Sequence, residues 1–127
     1  MKHEKGFILP SMMVVVFFCL LITAHISISL VNEKNFYEET KQYYALDSIM
    51  QVAVERSLNE VKDYGTALLN EQISVNTFNG QFNYLVQEVS PLIFNVSITC
   101  QTNEGKEYTA SYQYDSSINE MILWSEY

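Results

Sequence analysis

From Phe7 to Asn32 the chain carries no Asp, Glu, Lys or Arg, and this run restricts the possible folds more than any other feature. Twenty-six helical residues reach about 39 Å at 1.5 Å per residue. A bilayer hydrocarbon core needs only about 30 Å, or about 20 residues. The fully apolar part is Met12 to Ile22. Beyond it, Thr23, His25, Ser27 and Ser29 each need a partner or a place near the headgroups. Lys2 and Lys5 precede the run and Glu33 follows it. The positive-inside rule then keeps the N-terminus cytoplasmic and exports the rest. Pro10 costs a helix interior about 3 kcal/mol. It costs nothing in a first turn, where the N–H groups have no intrahelical partner.

Three segments follow: a leader over 1–6, a transmembrane or stem helix over 7–32, and an exported globular domain over 33–127. The exported part is long enough for one modest core. Without the leader the chain holds five Lys or Arg against fourteen Asp or Glu, a net charge of −9. Non-specific DNA binding depends on Lys and Arg displacing counterions. No direct nucleic-acid binding is expected of so acidic a surface.

Past Asn32 the helical signal continues. Tyr43, Leu46, Met50, Ala53, Ser57, Val61, Tyr64 and Leu68 recur at spacings of three or four, widened by Val54 and Leu58. With the membrane segment this predicts one helix over roughly Ile8 to Tyr64, broken at Gly65 or running on to Asn70. Strand signals come next. Ile73–Phe78 and Gln81–Val89 flank Asn79-Gly80, a hairpin signal because both residues tolerate positive φ. Phe94, Val96, Ile98 and Cys100 alternate with polar residues, as do Tyr108, Ala110, Tyr112 and Tyr114. Glu120 to Trp124 forms a short last strand. The expected fold is α+β: a long N-terminal helix whose amphipathic second half packs on a small antiparallel sheet of four or five strands. Most of the nine tyrosines are expected to be sheet packing with wet hydroxyls.

The chain carries few signs of catalysis. His3 lies in the leader and His25 in the apolar helix, so no exported histidine can serve a zinc site or a dyad. No phosphate-binding glycine loop or Gly-x-Ser-x-Gly elbow occurs. Glu104, Glu107 and Asp115 lack the spacing of an EF-hand loop. No enzyme activity, cofactor or metal is expected. Cys19 and Cys100 read as separate packing residues, with an intermolecular disulfide through Cys100 left open.

The junction Lys5-Gly6-Phe7-Ile8-Leu9-Pro10 adds a resemblance. A short basic leader, Gly-Phe and an apolar helix resemble the class III signal of type IV pilins and type II secretion pseudopilins. The fuller Lys-Gly-Phe-Ile-x-Pro pattern resembles the ComGG-type competence minor pseudopilins of Gram-positive bacteria. So does the ending Ile122-Leu123-Trp124-Ser125-Glu126. The resemblance implies cleavage between Gly6 and Phe7 by a prepilin peptidase, with methylation of the new amine. It implies other major and minor pseudopilins, the peptidase and membrane lipid as partners, and a cell-surface pilus that supports DNA uptake. Met12, Val15, Phe18, Cys19 and Ile22 are the expected helix-packing residues. The family pattern departs at the fifth mature position, where most pilins carry Glu and this chain has Ser11. Either a tip or initiation role or simple drift accounts for that. Two rivals remain at this level: an uncleaved single-pass anchor displaying an adaptor or sensor head, and a secreted domain released after Ser27-Ile28-Ser29.

Overall fold

The computed structural model describes residues 8–127, and the chain divides into two compact units between Thr40 and Lys41. Gly6 and Phe7, the expected processing pair, lie outside the described residues.

Helix α1 covers Ile8–Tyr64, the span expected from the pattern. Pro10 occupies its first turn, where the ring breaks no hydrogen bond. Gly65, at φ 43°, ends the helix, and a 3₁₀ turn spans Gly65–Leu68. Glycine enters that left-handed region without the Cβ penalty that other residues meet.

In the first unit, the α1 residues from Ile8 to Leu30 expose their apolar side chains on all sides. Its polar residues answer part of the sequence problem locally. Thr23 Oγ1 donates to the Cys19 carbonyl and Ser27 Oγ donates to the Thr23 carbonyl, each at 2.8 Å. Both are bonds back to residue i−4, which spend the hydroxyl on the helix itself.

The second unit holds the remainder of α1 and one five-stranded antiparallel sheet. The strands are β1 (Gln72–Thr77), β2 (Gly80–Ser90), β3 (Ile93–Thr102), β4 (Glu107–Asp115) and β5 (Glu120–Glu126). They lie in sequence order, a meander with β1 and β5 at its edges. Strand alternation decides the two faces. Along β3, residues from Ile93 to Thr102 alternate half-buried and buried, and Phe94, Val96, Ile98 and Cys100 are the buried apolar set. Phe82, Tyr84 and Val86 of β2 and Ala110, Tyr112 and Tyr114 of β4 share that core face. Leu46, Ile49, Met50, Ala53, Ser57 and Val61 of α1 close the core.

Several expectations need correction. The first hairpin forms at the expected place, but Thr77 pairs with Gly80, so its loop is Phe78-Asn79. Neither loop residue has a positive φ. Gly80 belongs to β2, and its lack of a side chain matters for another reason. A Cβ there would lie 2.1 Å from the Gln101 carbonyl oxygen of β3. Pro91 sits in a two-residue loop with Leu92, which takes φ 69° although it is not glycine. The ends of the helical stripe also differ: Tyr43 and Tyr64 are exposed, and Ile49 is buried. Nor are the tyrosines mainly sheet packing. Tyr37, Tyr43, Tyr44, Tyr64 and Tyr127 stand on the surface, while Tyr84, Tyr112 and Tyr114 are buried. Those three hydroxyls bond to protein groups: Tyr84 to Glu60, Tyr112 to Ser57, and Tyr114 to Asn119. A tyrosine whose ring is buried usually finds a hydrogen-bond partner for its hydroxyl.

Candidate functional site

The first candidate is the exposed apolar surface of α1. An 18-residue window of this helix has a mean hydropathy of 2.6 and no buried residue, so it is long and apolar enough to cross a membrane. Met12, Val15, Phe18, Cys19 and Ile22 are all exposed on it. At about 100° per residue these five fall within an arc of roughly 120°. Ser11 is exposed as well and projects inside the same arc. The sequence-predicted packing residues and Ser11, the expected fifth mature residue, thus share one face of the helix. Phe17 lies beside Phe18, with ring centroids 6.4 Å apart at 70°.

The second candidate is the globular unit, built around how α1 is keyed to the sheet. Three polar contacts fix the register. Ser57 Oγ lies 2.7 Å from the Tyr112 hydroxyl, and both groups are buried. The Tyr84 hydroxyl donates to Glu60, whose other oxygen accepts from Arg56 Nε at 3.3 Å, one turn earlier on the helix. Cys100 Sγ lies 4.0 Å from Met50 Sδ. Burial pushes the Tyr112 phenol up to about 12, against the opposing pull of Ser57. Burial and then the Glu60 hydrogen bond raise the Tyr84 phenol further. Both phenols are held neutral in the core: Tyr84 donates to Glu60, and either hydroxyl of the Ser57–Tyr112 pair can be the donor.

Both cysteines are free thiols. Cys100 is fully buried, and burial pushes its thiol up to about 11. A protonated, inaccessible thiol is a poor nucleophile, so Cys100 acts as a core residue of β3.

The far edge of the sheet is different. Trp124 in β5 stacks on Tyr112 at 6.5 Å and 10°, yet stays 39 % exposed. Its Nε1 donates to Glu126 at 2.9 Å. That bond, and a second from the Tyr108 hydroxyl, hold the Glu126 carboxyl below the usual carboxylate range. The carboxyl-terminal pattern Ile122-x-Trp124-x-Glu126 therefore has a local meaning: alternate residues of one strand put an indole and its carboxylate partner side by side. Sequence reasoning flagged the pattern but not this pairing, although the i, i+2 spacing in a strand was the signal for it. The Arg56–Glu60 spacing of one helical turn was the corresponding signal for the Tyr84 anchor.

The family model of ComGG, described as ComG operon protein 7, matches residues 30–126. The chain belongs to the ComGG family. Competence protein ComGG of Bacillus subtilis (strain 168) is similar to it, with 24 % identity over 127 residues, covering 99 % of this chain and 100 % of that protein. No solved structure matches the chain. Membership makes this a competence-related protein and covers the carboxyl-terminal half of α1, the whole sheet and the Trp124–Glu126 pair. The apolar segment from Ile8 to Ser29 precedes the matched region; its length and composition fit a membrane anchor.

Proposed function

We propose that this chain is a minor pseudopilin of a competence pilus in a Gram-positive bacterium, acting by assembly and not by catalysis. One observation carries the reading. A single helix, α1, exposes an all-round apolar surface in its first part and supplies the core of a five-stranded sheet in its last part. An element of this kind anchors a head in lipid and then exchanges lipid for the helices of neighbouring subunits. Family membership in a competence protein supports the same reading.

In this proposal residues 1–6 are a cytoplasmic leader, 7–32 the transmembrane and stem segment, and 33–127 the exported head. A prepilin peptidase cuts between Gly6 and Phe7 and methylates the new amine. Met12, Val15, Phe18, Cys19 and Ile22 then pack against other major and minor pseudopilins at the cell surface. Ser11 sits on that same face and offers no charge. A buried ammonium needs a charged or hydrogen-bonding partner, so Ser11 suits a subunit that starts or tips the filament. The assembled pilus supports DNA uptake, while this acidic chain does not itself bind DNA.

Mass spectrometry of the mature protein from cells that hold the peptidase is the direct test. A chain beginning at N-methylated Phe7 is expected, and Gly6→Val should leave it uncut. A mature chain that retains Met1 would instead make it a permanent single-pass anchor for an adaptor or sensor head.

A further inference from the structure

Strand β5 ends the sheet, and beyond it no further strand pairs among the described residues. An edge strand presents a row of unpaired N–H and C=O groups and invites another chain to pair. Such edges are usually guarded by Lys or Pro within the strand. The centre of β5 has neither. It reads Met121-Ile122-Leu123-Trp124, and all four side chains are 38 to 53 % exposed. The opposite edge is unlike it: β1 has Ile73 and Val75 half-buried against the core. The only charges in β5 are Glu120 and Glu126, at its two ends. Asp115 pairs with Glu120 across the β4–β5 ladder and adds negative charge there.

These charges select the occupant. A second copy fits poorly. Antiparallel pairing of β5 with itself about Leu123 sets Glu120 against Glu126, and parallel in-register pairing sets each glutamate against its twin. Like charges directly opposite in a ladder are destabilising. Full pairing with β1 of a second copy brings Glu71, which precedes β1, next to one of the two glutamates in either direction. A foreign strand with a cation at each end meets none of these penalties. Main-chain hydrogen bonds would hold it, and alternate side chains would read Leu123 on one face and Trp124 on the other.

We propose that β5 is an acceptor edge for an extended segment of a different polypeptide, with Lys or Arg at both ends of an apolar centre, which adds a sixth strand to the sheet. The inference stands on the sheet edge alone. The mature N-terminus is measured separately, so failure of one reading is distinguishable from failure of the other.

The probes are two synthetic nonapeptides of alternating Val and Thr, one flanked by Lys and one by Glu, added to the full chain in detergent micelles. Amide hydrogen exchange and the fluorescence of Trp124, the chain's single tryptophan, report binding. The Lys-flanked peptide should slow exchange across Glu120–Glu126 and bind at least about tenfold more tightly than its Glu-flanked counterpart. The exposed double variant Glu120→Lys/Glu126→Lys should reverse that preference. Equal binding of both peptides, protection at β1 in place of β5, or no protection anywhere overturns the proposal. So does self-association of the chain, by sedimentation, that Leu123→Lys abolishes, since that outcome gives the edge to a second copy.

Discussion

Leu92 holds the least comfortable backbone in the described chain. Its φ of 69° follows Pro91 in a two-residue hairpin loop, a position that glycine normally fills. The turn survives because the Leu92 carbonyl accepts from both the backbone N–H and the hydroxyl of Ser116, at 2.8 and 2.9 Å. Its side chain is exposed, so little packing is lost on truncation. Leu92→Gly should therefore raise stability by about 0.5 to 1 kcal/mol, as relief of left-handed strain exceeds the added freedom of the unfolded chain. Urea unfolding of the two proteins checks this. Gly80 gives the opposite case. Gly80→Ala drives a methyl onto the Gln101 backbone oxygen at the hairpin end of the β2–β3 ladder, where Gly80 is paired on both sides, with Thr77 and with Thr102. A loss of about 2 kcal/mol or more is expected in the same assay.

At the scale of elements, α1 and the sheet are joined through groups that must stay neutral. The folded-state value of Tyr112 lies above its unfolded one. Its contribution is complete below the ordinary phenol value of about 10 and is lost as pH rises through about 12. Cys100 acts in the same direction from a lower start: its contribution is complete below about 8.5 and gone once pH passes about 11. Denaturant midpoints should fall steadily between pH 8.5 and 12, and Cys100→Ser or Tyr112→Phe should flatten part of that slope. Much of this level was legible in the sequence. The helix span, the inward set of β3 and the meander all follow from periodicity, which depends only on neighbouring residues. What escaped it depends on contacts distant in sequence. Phe78-Asn79 became the first loop because Gly80 was needed against Gln101, twenty-one residues on. Tyr43 fell outside the core and instead carries Lys106 Nζ 3.9 Å over its ring. Ile49 was drawn in because the sheet covers a wider arc of the helix than the stripe alone implied.

For the whole molecule, family membership and the helix-plus-meander fold point to a competence protein with an apolar anchor. In the proposed reading Gly6-Phe7 is the processing pair and Ser11 the fifth mature residue, and the chain's behaviour in cells tests both. Ser11→Glu introduces the carboxylate that most pilins carry at the position proposed to be equivalent. It should leave processing intact but shift the order of assembly, read as altered co-purification of partner pilins and fewer filaments by electron microscopy. Unchanged piliation and partner recovery would point to drift at this position. The acidic composition makes a companion expectation about DNA: binding by the purified chain at low salt should be negligible, because few cations are present to displace counterions.

The hydroxyls of Thr23 and Ser27 are already spent on carbonyls one turn back. For these two side chains, a change of surroundings from acyl tails to a protein neighbour breaks no polar bond and leaves no donor stranded. At these positions the segment is indifferent to its solvent. Transfer from one environment to the other is then decided by how closely apolar surfaces meet, a weak and graded force that can be undone as readily as it is made.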